Sequence, residues 1–409
     1  MQHRRKLIAG ALTLAIALTC AAYTIRPAFA AGDTIVFGAP VSLTGNLAKE
    51  GHLTQEGYDF WRNYVNAHGG IKVGGKSYKV DIKYYDDESK NDNAQQLAER
   101  LVDQDHVNFL LGPYGSGTSF TVAQMAERKK IPMIEGNGAA EKIFSQGFKY
   151  TFGVLSPAPR YLEGVLQIAK DHGAKSVAIT SASDAFSLEV AQGAARWAQS
   201  HGMNVVYNNK YPDTATDLSS VVSAVKAANP DVILNAGHLQ DALLVHKTLH
   251  DQNVSAKAYG YSVGPDTPDF TNTLGKDAND VMGGAQWSVS VKYKGEPGFY
   301  QTAQDYAKAF DAVYHHQPDY HNAESSATCL AYQYALEKAG TLDPQKVRDA
   351  IAALDVTTFY GIIKFDNRGI NVYKPMVVNQ IHSGKLLTVF PSTFAVTKLV
   401  YPAPPWGKR

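Results

Sequence analysis

Short apolar runs alternate along the chain with longer segments whose apolar residues recur every three or four positions. "TIVFGAPVSL", "KVDIKYYDD" and "VNFLLG" have the length and the β-branched and aromatic content of strands. Between them, "EGHLTQEGYDFWRNYVNAHGG" and "NAQQLAERLVDQ" have helical spacing, the first stopped at Gly69–Gly70. "IPMIEGNGA" and "YTFGVL" add two short strands. The series restarts near residue 156, where "SPAPR" punctuates the chain with two prolines. Beyond it "SVAITSAS", "NVVYNNKY", "DVILNAG" and "AKAYGYSVG" read as strands separated by helices. Such alternation predicts an α/β chain with parallel sheets flanked by helices, one sheet per lobe. Two further returns between lobes are predicted near "MGGAQWS" (282–288) and "TTFYG" (357–361). The expected lobes are 31–155 with 285–358, and 156–284 with 359–409.

The first thirty residues follow a different pattern. "MQHRRK" is basic, "LIAGALTLAIALTCAAYT" is apolar, and "RPAFA" supplies Ala28 and Ala30 in an A-x-A pattern, which predicts a secretory signal peptide cleaved after Ala30. Leu18 and Thr19 fit a lipobox poorly, so Cys20 is not expected to carry lipid. Cleavage removes Arg4, Arg5, Lys6 and Arg26 and no acid; of 39 basic and 38 acidic residues, 39 − 4 = 35 basic remain against 38, a net of −3. A slightly acidic exported chain is a poor partner for nucleic acid. One cysteine, Cys329, remains, so no internal disulfide forms. Roughly 380 residues exceed what one domain usually holds, in keeping with two lobes. No later segment is long and apolar enough to span a bilayer. A soluble periplasmic monomer without cofactor is expected.

Candidate chemistry starts at "FLLGPYGSGTSF", residues 109–120, where an apolar run ends in a turn with Gly112, Gly115 and Gly117 and enters a helix. That arrangement presents backbone N–H groups to an anion. A dinucleotide fingerprint needs G-x-G-x-x-G in the first strand–helix unit, and a P-loop needs lysine after its last glycine; neither is present. What remains is the hydroxyls of Ser116, Thr118 and Ser119 beside helix N–H groups, which suit a carboxylate. The alternative is an ordinary N-cap formed by Ser116 or Thr118. Ligands of open parallel sheets sit at the carboxyl ends of strands. This adds the turn at 137–140, His238 and Ser262 as edges of one cleft.

Catalytic and metal patterns are scarce. No G-x-S-x-G nucleophile elbow occurs. His246 and His250 have the spacing of two metal ligands, but "VHKTLHDQ" lacks an acid between them and reads as a solvated helix face. His315–His316 reads as surface. "DDESKND" (86–92) lacks the glycine and terminal glutamate of a calcium loop and reads as a solvated turn. Cys329, inside "SSATCLAYQYALEKAG", reads as core. No catalytic or metal residue is assigned, and no enzyme is expected.

Taken in order, "IVFGAPVSLTGNLAKEG", "NAHGGIKVGGKSYKVDIKYYDDES", "LLGPYGSGTS", "IPMIEGNGAAEKIF" and "TTFYGIIKFDNRGINVYKPMVVNQIHSGK" resemble the periplasmic leucine/isoleucine/valine-binding proteins, type I solute-binding components of ABC transporters. The resemblance covers essentially the whole mature chain. It implies two Rossmann-like lobes joined by three hinge strands, a flytrap that closes over a small organic solute and is read by a membrane permease. It places first-lobe carboxylate contacts on Ser116 and on Gly138–Ala139. Second-lobe contacts fall on Phe186, His238 and Ser262, and Glu50 falls where the family often has a rim aromatic.

Two departures bear on the ligand. Ala139 stands where a hydroxyl is common, and Ser262 stands where the family has a glutamate for the ligand's α-ammonium. Burying an ammonium without an acid is costly; Glu135 or Glu324 would have to replace it. Tyr114, Tyr161, Phe186 and His238 offer flat surfaces and polar tips, which suit an aromatic acid. The resemblance favours an amino-acid-like solute, with an aromatic or other organic acid next. A sensory binding protein of the same fold and an exported α/β enzyme are the competing classes.

Overall fold

The computed structural model describes residues 33–408. Residues 1–30, with Cys20 and the predicted cleavage site, lie outside the described residues. The first half runs β1 (Thr34–Val41), α1 (Ala48–Ala67), β2 (Ile71–Val73), β3 (Lys76–Asp86), α2 (Asn91–Asp103), β4 (Phe109–Leu111), α3 (Ser116–Lys129), β5 (Met133–Glu135), α4 (Glu141–Phe144) and β6 (Thr151–Gly153). There follow α5 (Glu163–Asp171), β7 (Ser176–Ala182), α6 (Ala185–Ser200), β8 (Asn204–Tyr211), α7 (Ser219–Ala228), β9 (Val232–Ala236), α8 (Leu239–Asp251), β10 (Ala258–Tyr261), α9 (Pro268–Leu274) and β11 (Met282–Ala285). The chain ends with α10 (Ala303–Tyr314), α11 (Tyr320–Ala339), α12 (Pro344–Ala352), β12 (Asp355–Thr358), β13 (Gly361–Lys364), β14 (Val377–His382) and β15 (Lys385–Phe390).

Among the described residues two large sheets result, in the orders β2-β3-β1-β4-β5-β6 and β15-β14-β11-β10-β9-β7-β8, with β12 and β13 pairing apart as a two-stranded hairpin. Each large sheet has a parallel centre, with antiparallel strands only at β2 or at β14 and β15. Apolar layers cover both faces of each sheet, as buried parallel strands require. Helix α11 is buried almost all round, and Cys329 lies in its core. It packs on α1 so closely that a Cβ at Gly57 would come 2.4 Å from the Asn322 carbonyl oxygen.

The chain passes between lobes after β6, after β11 and before β14. The third passage lies later than the expected 358/359 point. Phe359, Tyr360, Ile363 and Phe365, on the β12–β13 hairpin and just after it, pack into the first lobe's core, and Ile370 bridges Gly153. The chain therefore leaves the first lobe only between Val372 and β14.

Candidate functional site

The site starts where β4 runs into α3. A Cβ at Gly112 would lie 2.1 Å from Glu135 Oε2, and Gly115 has φ +90°, so both positions require glycine. The first i→i−4 bond of α3 runs from Ser119 N–H to Gly115 O at 3.0 Å. The N–H groups of Ser116, Gly117 and Thr118 precede it. No side chain caps this helix. Thr118 Oγ1 donates to Tyr114 O (2.5 Å) and Gly115 O (2.8 Å), and Ser119 Oγ donates to Gly115 O (2.7 Å). Ser116 Oγ instead accepts from Ala140 N–H at 3.1 Å, tying the two turns together. The N-cap alternative is not what the turn does.

The cleft between the lobes is lined by Tyr114, Gly115, Ser116 and Asn137 of the first lobe, by Tyr161, Phe186, His238 and Val263 of the second, and by Tyr320, His321 and Glu324 of α11. Its rings interlock. Tyr161 meets Phe186 edge-on at 4.9 Å, Phe186 lies 5.4 Å from His238, and Tyr320 stacks on His321 at 4.1 Å. They leave about 10 Å³, close to the space of one water, so a solute enters only as the lobes part. Among the described residues, Asn137 Oδ1, Tyr320 OH and Glu50 Oε2 are buried polar atoms without a hydrogen-bond partner.

Charge in the cleft centres on His238. Its Nε2 lies 3.4 Å from Asp184 Oδ1, and its Nδ1 is 3.0 Å from the Tyr114 hydroxyl across the cleft. Burial alone would lower its pKa, but Asp184, with Glu50 and Asp241, outweighs burial and lifts it to about 9. When protonated, the imidazole forms an ion pair with Asp184 while its other nitrogen faces the Tyr114 hydroxyl. Burial tends to raise the Asp184 carboxyl, yet His238 and Ser187 hold it at about 2. Asp184 also caps α6, accepting from Phe186 N (2.9 Å) and Ser187 N (3.1 Å). Burial pushes Glu324 well above the usual carboxyl range, against the pull of Lys374 and Tyr360.

Ser116, Tyr114, Tyr161, Phe186, His238 and Glu324 are brought together; the other predicted residues are not among the lining. Ser262 Oγ donates to Gly237 O (2.9 Å) and accepts from Gly237 N–H (3.0 Å), stapling β10 to the turn before α8. Glu135 sits beneath the turns, accepting from Asn137 N–H at 2.6 Å, and burial raises it to about 7. Gly138 packs on Ser119, and the Ala139 carbonyl accepts from Ala158 N–H at 2.8 Å. Glu50 is buried rather than at an open rim. Its Oε1 accepts from Leu239 N–H at 3.1 Å, joining α1 of one lobe to the start of α8 in the other.

His246 is not on a solvated face: it is buried, with Nδ1 2.7 Å from Tyr261 OH and Nε2 2.8 Å from Asp277 O. Asp87, read as part of a solvated turn, is buried and accepts from Ser42 Oγ at 2.7 Å. Among the described residues no group of three or more His, Cys, Asp or Glu could hold a metal ion. Sequence reasoning missed Asp184, Tyr320 and His321. The aspartates of "SASDAF" and "QPDYHN" each precede a helix, which is the N-cap signal that marks both places.

Residues 34–385 match the family model described as periplasmic binding protein. A Leu/Ile/Val-binding protein homolog of Brucella suis is 26% identical over 415 residues, spanning 96% of this chain and 98% of its own. The fold is similar to that of the branched-chain amino acid transporter substrate-binding protein LivJ of Streptococcus pneumoniae, solved with isoleucine. The TM-score is 0.78 at 19% identity, covering 90% of this chain and 100% of that one. It is similar too to an ABC transporter solute-binding protein of R. palustris solved with benzoate, with a TM-score of 0.76 at 17% identity, covering 89% and 98%. Two sheets whose strand ends face one cleft, under a family match spanning most of the sequence, have one reading: the chain belongs to the periplasmic binding protein family and has the two-lobed fold of its type I members.

Proposed function

We propose that the protein is the extracytoplasmic solute-binding component of an ABC importer, exported by cleavage after Ala30. It captures a small carboxylate-bearing solute between its lobes and presents the closed form to a membrane permease. The observation that carries this reading is the uncapped start of α3, with Ser116, opening into the cleft opposite the His238 imidazolium. A carboxylate there accepts first-turn N–H groups from one lobe and meets positive charge on the other. Binding energy spent on both lobes shifts the population towards the closed form.

Two solute classes fit. The amino-acid-like class draws on Glu324, the one carboxyl among the lining residues. The aromatic-acid class draws on the walls of Tyr114, Tyr161, Phe186 and Tyr320. A thermal-shift screen with leucine, isoleucine, valine, phenylalanine, benzoate, 4-hydroxybenzoate and cinnamate tests the reading. A ligand at 100 times its Kd adds about 2.7 kcal/mol. The reading fails if none of these shifts the transition and small-angle scattering shows no compaction with any of them. Recovery of a chemically altered compound would favour the enzyme instead.

A further inference from the structure

Glu324 is joined to the hinge. Its Oε2 accepts from the Tyr360 hydroxyl at 3.2 Å, and the Tyr360 ring centre lies 4.5 Å from Lys374 Nζ. Lys374 Nζ donates to the Gln286 carbonyl. The Gln286 amide pairs with Ser156 in both directions, at 2.9 Å each, and Ser156 Oγ donates to Lys374 O at 2.7 Å. Ser156, Gln286 and Lys374 belong to the first, second and third passages between the lobes. One line of buried contacts therefore runs from the cleft wall to all three.

The other buried carboxyls near the cleft each have at least one oxygen held elsewhere, with a second oxygen of Glu50, Glu135 and Asp266 left without a partner among the described residues. Glu135 packs under Gly112, and Asp184 is paired with His238. Asp266 accepts from Asn379 Nδ2 at 2.5 Å and lies against Gly283. Glu324 alone is both a carboxyl and part of the cleft wall. Lys374 lies behind it, against the ring of Tyr360.

We propose that Glu324 is the specificity-determining residue of the cleft. Its carboxyl, oriented by the Tyr360 hydroxyl and backed by Lys374, receives a hydrogen-bond donor carried by the solute, an ammonium or a ring hydroxyl, while the solute's carboxylate sits at the Ser116 turn. This rests on the reading of the cleft given above. A buried acceptor built for a donor discriminates strongly against analogues that lack it.

The test is calorimetric titration of wild type, Glu324→Gln and Tyr360→Phe with leucine, phenylalanine, 4-hydroxybenzoate and benzoate. Glu324→Gln keeps the size and an acceptor for Tyr360 but removes the ionisable carboxyl, so amino-acid probes weaken by about 10- to 100-fold if the donor is an ammonium. If the donor is a ring hydroxyl, the preference for 4-hydroxybenzoate over benzoate falls by about 3- to 10-fold in Tyr360→Phe, with benzoate itself unchanged. Tyr360→Phe keeps the ring under Lys374, so it decides the matter should Glu324→Gln fail to fold. The inference is overturned if folded variants bind every probe within about twofold of wild type. Binding of no probe by wild type overturns the reading of the cleft, and the inference with it.

Discussion

Glu50 offers the sharpest test of closure, because it reaches from one lobe to the other without being part of the cleft lining. Its Oε1 takes the Leu239 N–H at the positive end of α8, while its Oε2 is buried without a partner. A hydrogen bond to a charged group contributes about 1.5–3 kcal/mol, to which the helix end adds a fraction of a kcal/mol. Against this stands the desolvation of the unpartnered oxygen, about 1–3 kcal/mol, which Glu50→Ala relieves. The net loss to the closed form is thus about 1 kcal/mol, or roughly fivefold in the closed-to-open ratio. A form in which the lobes part at this point would not feel the substitution. Titration of Glu50→Ala with any solute that binds wild type should give a Kd about fivefold weaker, carried by faster dissociation. Scattering should show a less compact average at half-saturating solute. An unchanged dissociation rate with an unchanged Kd refutes the reasoning.

Ser116→Ala removes the acceptor of the Ala140 N–H and the hydroxyl at the proposed carboxylate position, and should weaken a carboxylate probe by about 1–3 kcal/mol; unchanged binding would remove Ser116 from the site. The Asp184–His238 pair gives stability a signed pH dependence. His238 titrates at about 9 against 6.5 when free, so its contribution is complete below 6.5 and is lost as pH rises through 9. Asp184, at about 2 against 3.8, contributes above 3.8 and loses that as pH falls through 2. The urea stability of wild type minus Asp184→Asn should therefore be flat between roughly pH 4 and 6.5 and shrink on either side; a constant difference up to pH 10 contradicts the pairing. The Cys329 thiol is buried and pushed well above its usual range, so a thiol reagent should react with protein starting at Ala31 only after unfolding; fast labelling of native protein would place Cys329 at the surface.

Fold and site were legible to different depths. The order of strands and helices follows from alternating periodicities, which local burial dictates. The third passage was misplaced because Phe359, Tyr360, Ile363 and Phe365 fold back onto the first core, a choice made by tertiary packing. The glycine turn was legible because Gly112 and Gly115 answer to backbone geometry. Ser262 and Glu135 misled for the opposite reason. A hydroxyl or carboxyl at a strand end can face the cleft or its own turn, and both turned inward to satisfy backbone N–H groups. Tyr320 and His321 were hidden because α11 is buried almost all round and has no polar face to mark its cleft side.

The lobes are held shut at their edges by two acids that each grip the other lobe's backbone. Glu50 reaches the start of α8, and Glu189 of α6 accepts from the N–H groups of Glu141 (2.6 Å) and Lys142 (3.0 Å) at the start of α4. Neither is a lining residue of the cleft. Closure can therefore be biased from residues outside the cleft lining, beside the contacts that the cleft itself makes with a solute. For a reporter protein built on this scaffold, the working concentration range can be graded at Glu50 or Glu189 while the chemical selectivity stays that of the cleft.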